Sequence, residues 1–169
     1  MSVKRLSVNA VLTAVALGIF VLEAQLPPLT PIPGIKLGLA NLITLFALVF
    51  LTPKDACLIL LSRILLGSLF TGTPSVLLYS LAGGMASLWV ETLFLRHNQE
   101  KFLWGVSALG ALTHNTVQLL VALLMTKTPS ILFYLPLLWI SGLVTGIFTG
   151  LCIRYLHHHA GERLRKLSN

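Results

Sequence analysis

Long apolar runs separated by short breaks rich in proline, glycine or charge make up almost the whole chain. A bilayer-spanning helix takes about 20 mostly apolar residues, and six stretches are read as such spans, at about 6–26, 37–51, 56–70, 75–95, 102–125 and 130–156. The first ends at Pro27, Pro28, Pro31 and Pro33, a cluster that no helix interior tolerates. The second is short, and Thr52, Pro53, Lys54 and Asp55 turn the chain into the third. Thr71-Gly72-Thr73-Pro74, Arg96–Lys101 and Thr126–Pro129 supply the later breaks. The pattern predicts an all-α integral membrane protein, a six-helix bundle in a single domain over 1–169. A cleaved secretory signal is the alternative for the first run, after Lys4 and Arg5, but the run is longer than a signal core. It also carries Glu23 and Gln25 where small residues should mark a cleavage site.

Composition supports the lipid reading. Of 169 residues, 56% are hydrophobic and 10% charged, against about 25% charged in soluble domains. Too few polar side chains are present to cover a water-soluble surface, and two cysteines, Cys57 and Cys152, do not frame a disulfide-stapled module. An even number of spans puts both termini on one side. That side carries Lys4, Arg5, Lys54, Arg96, Lys101, Arg154, Arg163, Arg165 and Lys166, the other only Lys36 and Lys127. The bias predicts that both termini lie in the cytoplasm. It also accounts for the formal charge of +7 through topology and attraction to anionic membrane lipid, without nucleic acid. His157, His158 and His159 resemble a metal tract, yet at a cytoplasmic helix end they are read as decorating the last turn, and no metal site is expected.

Polar groups inside spans are costly unless they face protein or a water-filled cavity. Arg63 lies about 12 Å into the third span at 1.5 Å per residue. His114 and Gln118 stand four residues apart and Asn115 and Gln118 three apart, so the three share a helix face. Asn41 lies within the second span. Arg63, His114, Asn115, Gln118 and Asn41 are therefore expected to line one outward-opening cavity for a small polar or anionic ligand, the guanidinium fork suiting a carboxylate or phosphate. The competing reading is that these groups only tie helices together. Glu91 is an alternative partner for Arg63, and Glu23, near Lys36 across the first outer loop, is read either as a surface pair with it or as a ligand contact. That loop, Pro27–Lys36, is read either as a stiff lid or as a plain connector. Small residues form two seams, Ala10, Ala14 and Gly18 on the first span and Gly142, Gly146 and Gly150 on the sixth. Such seams let backbones approach in lipid. Internal packing is expected for the sixth span, with Ser141, Thr145 and Thr149 as interhelical donors, while the first leaves an internal and an external partner open.

Four strings carry a resemblance: Gly38-Leu-Ala-Asn41-Leu, Arg63-Ile-Leu-Leu-Gly67-Ser68-Leu-Phe70-Thr-Gly72-Thr73, Ser80-Leu-Ala-Gly83-Gly84 and Gly110-Ala111-Leu-Thr-His114-Asn115-Thr-Val-Gln118-Leu. Across nearly its whole length the chain resembles the bacterial membrane family named both Gx transporter and heptaprenyl diphosphate synthase component I. That family is in turn similar in size and helix layout to the substrate-binding S components of energy-coupling-factor transporters. The resemblance implies either a small-molecule uptake subunit or a membrane component of isoprenoid and menaquinone biosynthesis. The first implies docking of Ala10, Ala14 and Gly18 on a transmembrane coupling subunit served by ATP-binding-cassette ATPases. The second implies a soluble prenyltransferase partner.

The residues themselves constrain both readings. A prenyl diphosphate synthase needs clustered aspartates to hold Mg²⁺ against diphosphate, and the chain has one aspartate, Asp55. No P-loop lysine motif is present for ATP hydrolysis, and His114 has no evident acid and nucleophile partners. No catalytic residue and no cofactor are expected in the chain itself.

Overall fold

The structure, a computed structural model, describes residues 3–25, 39, 41–71, 74–97 and 102–165. Its elements are α1 (Val3–Ala24), α2 (Asn41–Phe50), α3 (Pro53–Thr71), α4 (Pro74–His97), α5 (Leu103–Thr126), a 3-10 turn (Pro129–Tyr134) and α6 (Leu135–Arg165). No strand occurs among the described residues.

Helix ends follow from local chemistry. Pro53 opens α3 at a position whose missing N–H costs nothing, and the Thr52 hydroxyl accepts from the Asp55 backbone N–H at 3.3 Å, capping the first turn. α5 stops where Lys127 adopts φ 52°, its N–H returning to the Leu123 carbonyl at 2.9 Å. Pro129 then begins the 3-10 turn that redirects the chain into α6.

Among the described residues, four helical stretches are long and apolar enough to cross a membrane: Val3–Glu23, Leu77–Arg96, Leu103–Thr126 and Pro129–Gly161. This supports a multi-pass membrane protein; the second and third expected spans are not among the four. The predicted span at 37–51 is a helix only from Asn41 to Phe50, 10 residues, or about 15 Å, half a bilayer core. The third is 19 residues long but includes Lys54, Asp55 and Arg63, which lower its apolarity. The sixth runs past its predicted end at Leu156 to Arg165.

Helix packing turns the usual polarity inside out. Large apolar side chains face outward, Phe133 at 86% exposure and Leu69 at 77%, while Asn9, Glu23, Asp55, Arg63, Glu91, His114, Asn115 and Gln118 are buried. A surface of this kind is stable against lipid and not against water. α5 lies between α4 and α6, and α1 packs on α3. The α5–α6 approach rests on the sixth-span glycines: a Cβ on Gly146 would stand 2.7 Å from the Ala108 Cα, and one on Gly150 would collide with the Trp104 Cα. Of the three hydroxyls expected to bridge helices, Thr149 does so, 2.7 Å from the Ser107 hydroxyl. Ser141 and Thr145 donate to carbonyls one turn back in α6, the commonest outlet for a helical hydroxyl.

Candidate functional site

The polar interior resolves into two clusters, each centred on an arginine. The first is assembled where the middle of α3 meets the start of α2. Arg63 is 4% exposed. Its Nη2 donates to Asn41 Oδ1 at 3.4 Å, the long limit of a hydrogen bond, and its Nε has no hydrogen-bond partner. Glu23, buried near the end of α1, is close enough to act on the guanidinium through space. So is His114 of α5.

His114 is seated on α4. A Cβ at Gly83 would meet its carbonyl oxygen at 2.9 Å and its Nδ1 at 3.2 Å, so only glycine there lets the two helices close around the ring. That Nδ1 is buried without a hydrogen-bond partner. Gln118 is buried one turn further along α5. Asn115 turns away from this group: its Nδ2 donates to the Leu138 carbonyl of α6 at 2.7 Å and occupies the space left by Gly142. Asn115 is thus a tie between α5 and α6. Of the five residues expected to share a cavity, the structure brings Arg63 to Asn41, places His114 within its electrostatic reach, and directs Asn115 elsewhere. Glu91, the alternative partner for Arg63, instead fills the space opened by Gly110 between α4 and α5.

The second cluster was not legible in the sequence. Arg5 of α1 donates from Nη2 to Asp55 Oδ2 at 2.6 Å and to Thr52 Oγ1 at 2.7 Å, and its Nε lies 3.0 Å from Asp55 Oδ1. Asn9 adds a donor to Oδ1 at 2.8 Å and Thr52 one to Oδ2 at 2.7 Å. Burial, the largest single influence on this carboxyl, pushes its pKa up, but the donors from Arg5, Asn9 and Thr52 with the Arg5 charge outweigh it and hold Asp55 down at about 2. Asp55 precedes the apolar run of α3, so this clasp ties α1 to α3 at one end of the bundle.

The two glycine and alanine seams differ. Whereas the α6 seam is internal, Ala10, Ala14 and Gly18 of α1 are exposed, and a Cβ at Gly18 would meet nothing within 4 Å. Near the carboxyl-terminal end of α6, His157 stacks on Phe50 at 5.7 Å and His159 on Tyr155 at 4.2 Å. The Pro27–Lys36 loop, read from sequence as a lid or connector, lies outside the described residues, as does Gly38.

Compared with known proteins, residues 12–156 match the family model described as heptaprenyl diphosphate synthase component I. No curated protein and no solved structure matches the chain, so the likeness to energy-coupling-factor S components has no structural counterpart to support it.

Proposed function

The chain belongs to the heptaprenyl diphosphate synthase component I family, and from that premise we propose that it is the non-catalytic, membrane-embedded component of a prenyl diphosphate synthase. It would act in isoprenoid and menaquinone synthesis with a soluble prenyltransferase as its partner. The observation that carries this reading is the family match over 12–156 in a chain whose outer surface is apolar. The state of its one aspartate supports an accessory role: Asp55 is taken up by Arg5, Asn9 and Thr52, and no acidic cluster that could hold Mg²⁺ against diphosphate occurs among the described residues. In this reading the chain is one membrane domain with both termini in the cytoplasm, where exposed Lys4, Lys54, Arg96 and Arg154 lie.

Affinity purification of the full chain from native membranes tests the proposal. A soluble prenyltransferase should co-purify, and deletion should change the chain length of the prenyl product. Unchanged product and no such partner would contradict it.

A second reading, a substrate-binding subunit for small-molecule uptake with Arg63, Asn41, His114, Asn115 and Gln118 at its site, is favoured by one observation, the under-partnered Arg63 in the bundle interior. The outward-facing Ala10, Ala14 and Gly18 would be its docking stripe for a coupling subunit. Recovery of ATP-binding-cassette ATPases in the same purification would select it over the first.

A further inference from the structure

The seam between α4 and α5 holds a carboxyl group that neither functional reading uses. Glu91 of α4 is 3% exposed, and no hydrogen bond or ion pair to it occurs among the described residues. It lies inside the Leu77–Arg96 span, about 9 Å from the His97 end of α4. Side chains on a helix lean toward its amino terminus, so the carboxyl is carried away from that end and deeper into the bundle. Gly110 of α5 receives it there. A Cβ on Gly110 would collide with Glu91 Oε1 and stand 2.7 Å from its Cγ and Cδ. The glycine is thus a notch that fits the end of this one side chain, and the seam closes around it.

No cation faces the notch. Along the same side of α5, one turn beyond Gly110, stands His114, with its ring seated on Gly83; α5 has no other titratable residue. α2 has none. From α3, Arg63 donates to Asn41, Asp55 is held by Arg5, Lys54 is exposed and Cys57 half-buried. On α4 itself Arg96 is exposed and Tyr79 packs with Leu119 and Leu138 three turns away. A carboxylate shut into an apolar seam without donor or cation is so costly that such a group takes up a proton instead, and a lone ionisable residue at membrane depth is a candidate proton carrier.

We propose that Glu91 is a proton-binding site: the neutral carboxylic acid locks α4 to α5 through the Gly110 notch, and loss of the proton opens the seam. On opening, the O–H bond of the acid breaks, the proton passes to water admitted between the helices, and a solvated carboxylate remains; reprotonation closes the seam again. The site couples proton supply to the packing of α5, the helix that also carries His114, Asn115 and Gln118. This inference rests on the α4–α5 geometry alone, so it and the synthase reading can fail separately.

Infrared spectroscopy of the full chain in phosphatidylcholine nanodiscs, titrated from mildly acidic to alkaline pH, tests it. At neutral pH wild type should show the carbonyl band of a protonated carboxylic acid that Glu91→Gln lacks, and alkali should convert it to carboxylate bands in one step. Gly110→Ala, which expels the carboxyl from its notch, should move that step down by about one pH unit or more, a tenfold weaker hold on the proton; this variant keeps the test open if Glu91→Gln does not fold. Because the closed bundle holds the proton more tightly than the unfolded chain, the melting temperature of wild type should fall as pH rises through the step. Glu91→Gln, the isostere of the neutral acid, should lose that dependence. A carboxylate signal from Glu91 at neutral pH, with or without a response to sodium ions, would overturn the proposal, as would a step unmoved by Gly110→Ala or equal pH dependence of melting in wild type and Glu91→Gln.

Discussion

Arg5 and Arg63 both reach polar groups of the α2–α3 hairpin, and they sit in opposite states. Arg5 forms three short bonds to Asp55 and Thr52, and Asn9 completes the carboxylate, so charge and donors are matched within the fold. Arg63, far more deeply buried, has among the described residues one bond of 3.4 Å, and its Nε is unmatched. A satisfied ion pair fixes geometry, whereas an unsatisfied buried charge costs stability that the fold must recover from something it binds. The difference separates a structural arginine from one held ready.

The comparison can be broken at either end. The largest effect on stability is expected for Asp55→Ala, which strands Asn9 and Arg5 and should cost about 2–3 kcal/mol, read as a lowered melting temperature with anion binding at Arg63 intact. Asn115→Ala, removing the tie to the Leu138 carbonyl, should cost about 1–2 kcal/mol and likewise spare that binding. Loss of anion binding in Asn115→Ala would return that residue to the ligand site. Arg63→Gln leaves the buried Glu23 carboxylate without the charge it faces and should lower stability, and the double variant Arg63→Gln/Glu23→Gln should recover part of that loss in the same melting assay.

The pH dependence sharpens the same contrast. Asp55 titrates at about 2 against 3.8 for a free aspartate, so its contribution is full above about pH 4 and lost as pH falls through about 2. Melting curves in that window should flatten in Asp55→Asn and not in Arg63→Gln.

How much of this could be read from the sequence depended on whether a single helix held the information. Apolar runs located every helix, and the Thr52-Pro53 turn marked the start of α3. The length of α2 was misjudged because 37–51 is mostly apolar on both sides of Asn41, and hydropathy does not show where the helix begins. His114, Asn115 and Gln118 do lie along one side of α5, but α5 is flanked by both α4 and α6, and periodicity does not say which neighbour each side chain meets. Glu23 lies within electrostatic reach of Arg63 because α1 packs on α3, a proximity that spacing along the chain does not show, while Lys36 lies outside the described residues. Asn9 gave no signal at all, since its partner Asp55 is 46 residues away.

Arg63 is expected to hold an anion that Arg5 does not. Native mass spectrometry of the full chain in neutral detergent with dimethyl phosphate, comparing wild type, Arg63→Gln and Asp55→Ala, measures this directly. One bound anion in wild type and in Asp55→Ala, and none in Arg63→Gln, is the predicted result; equal occupancy in wild type and Arg63→Gln would contradict it.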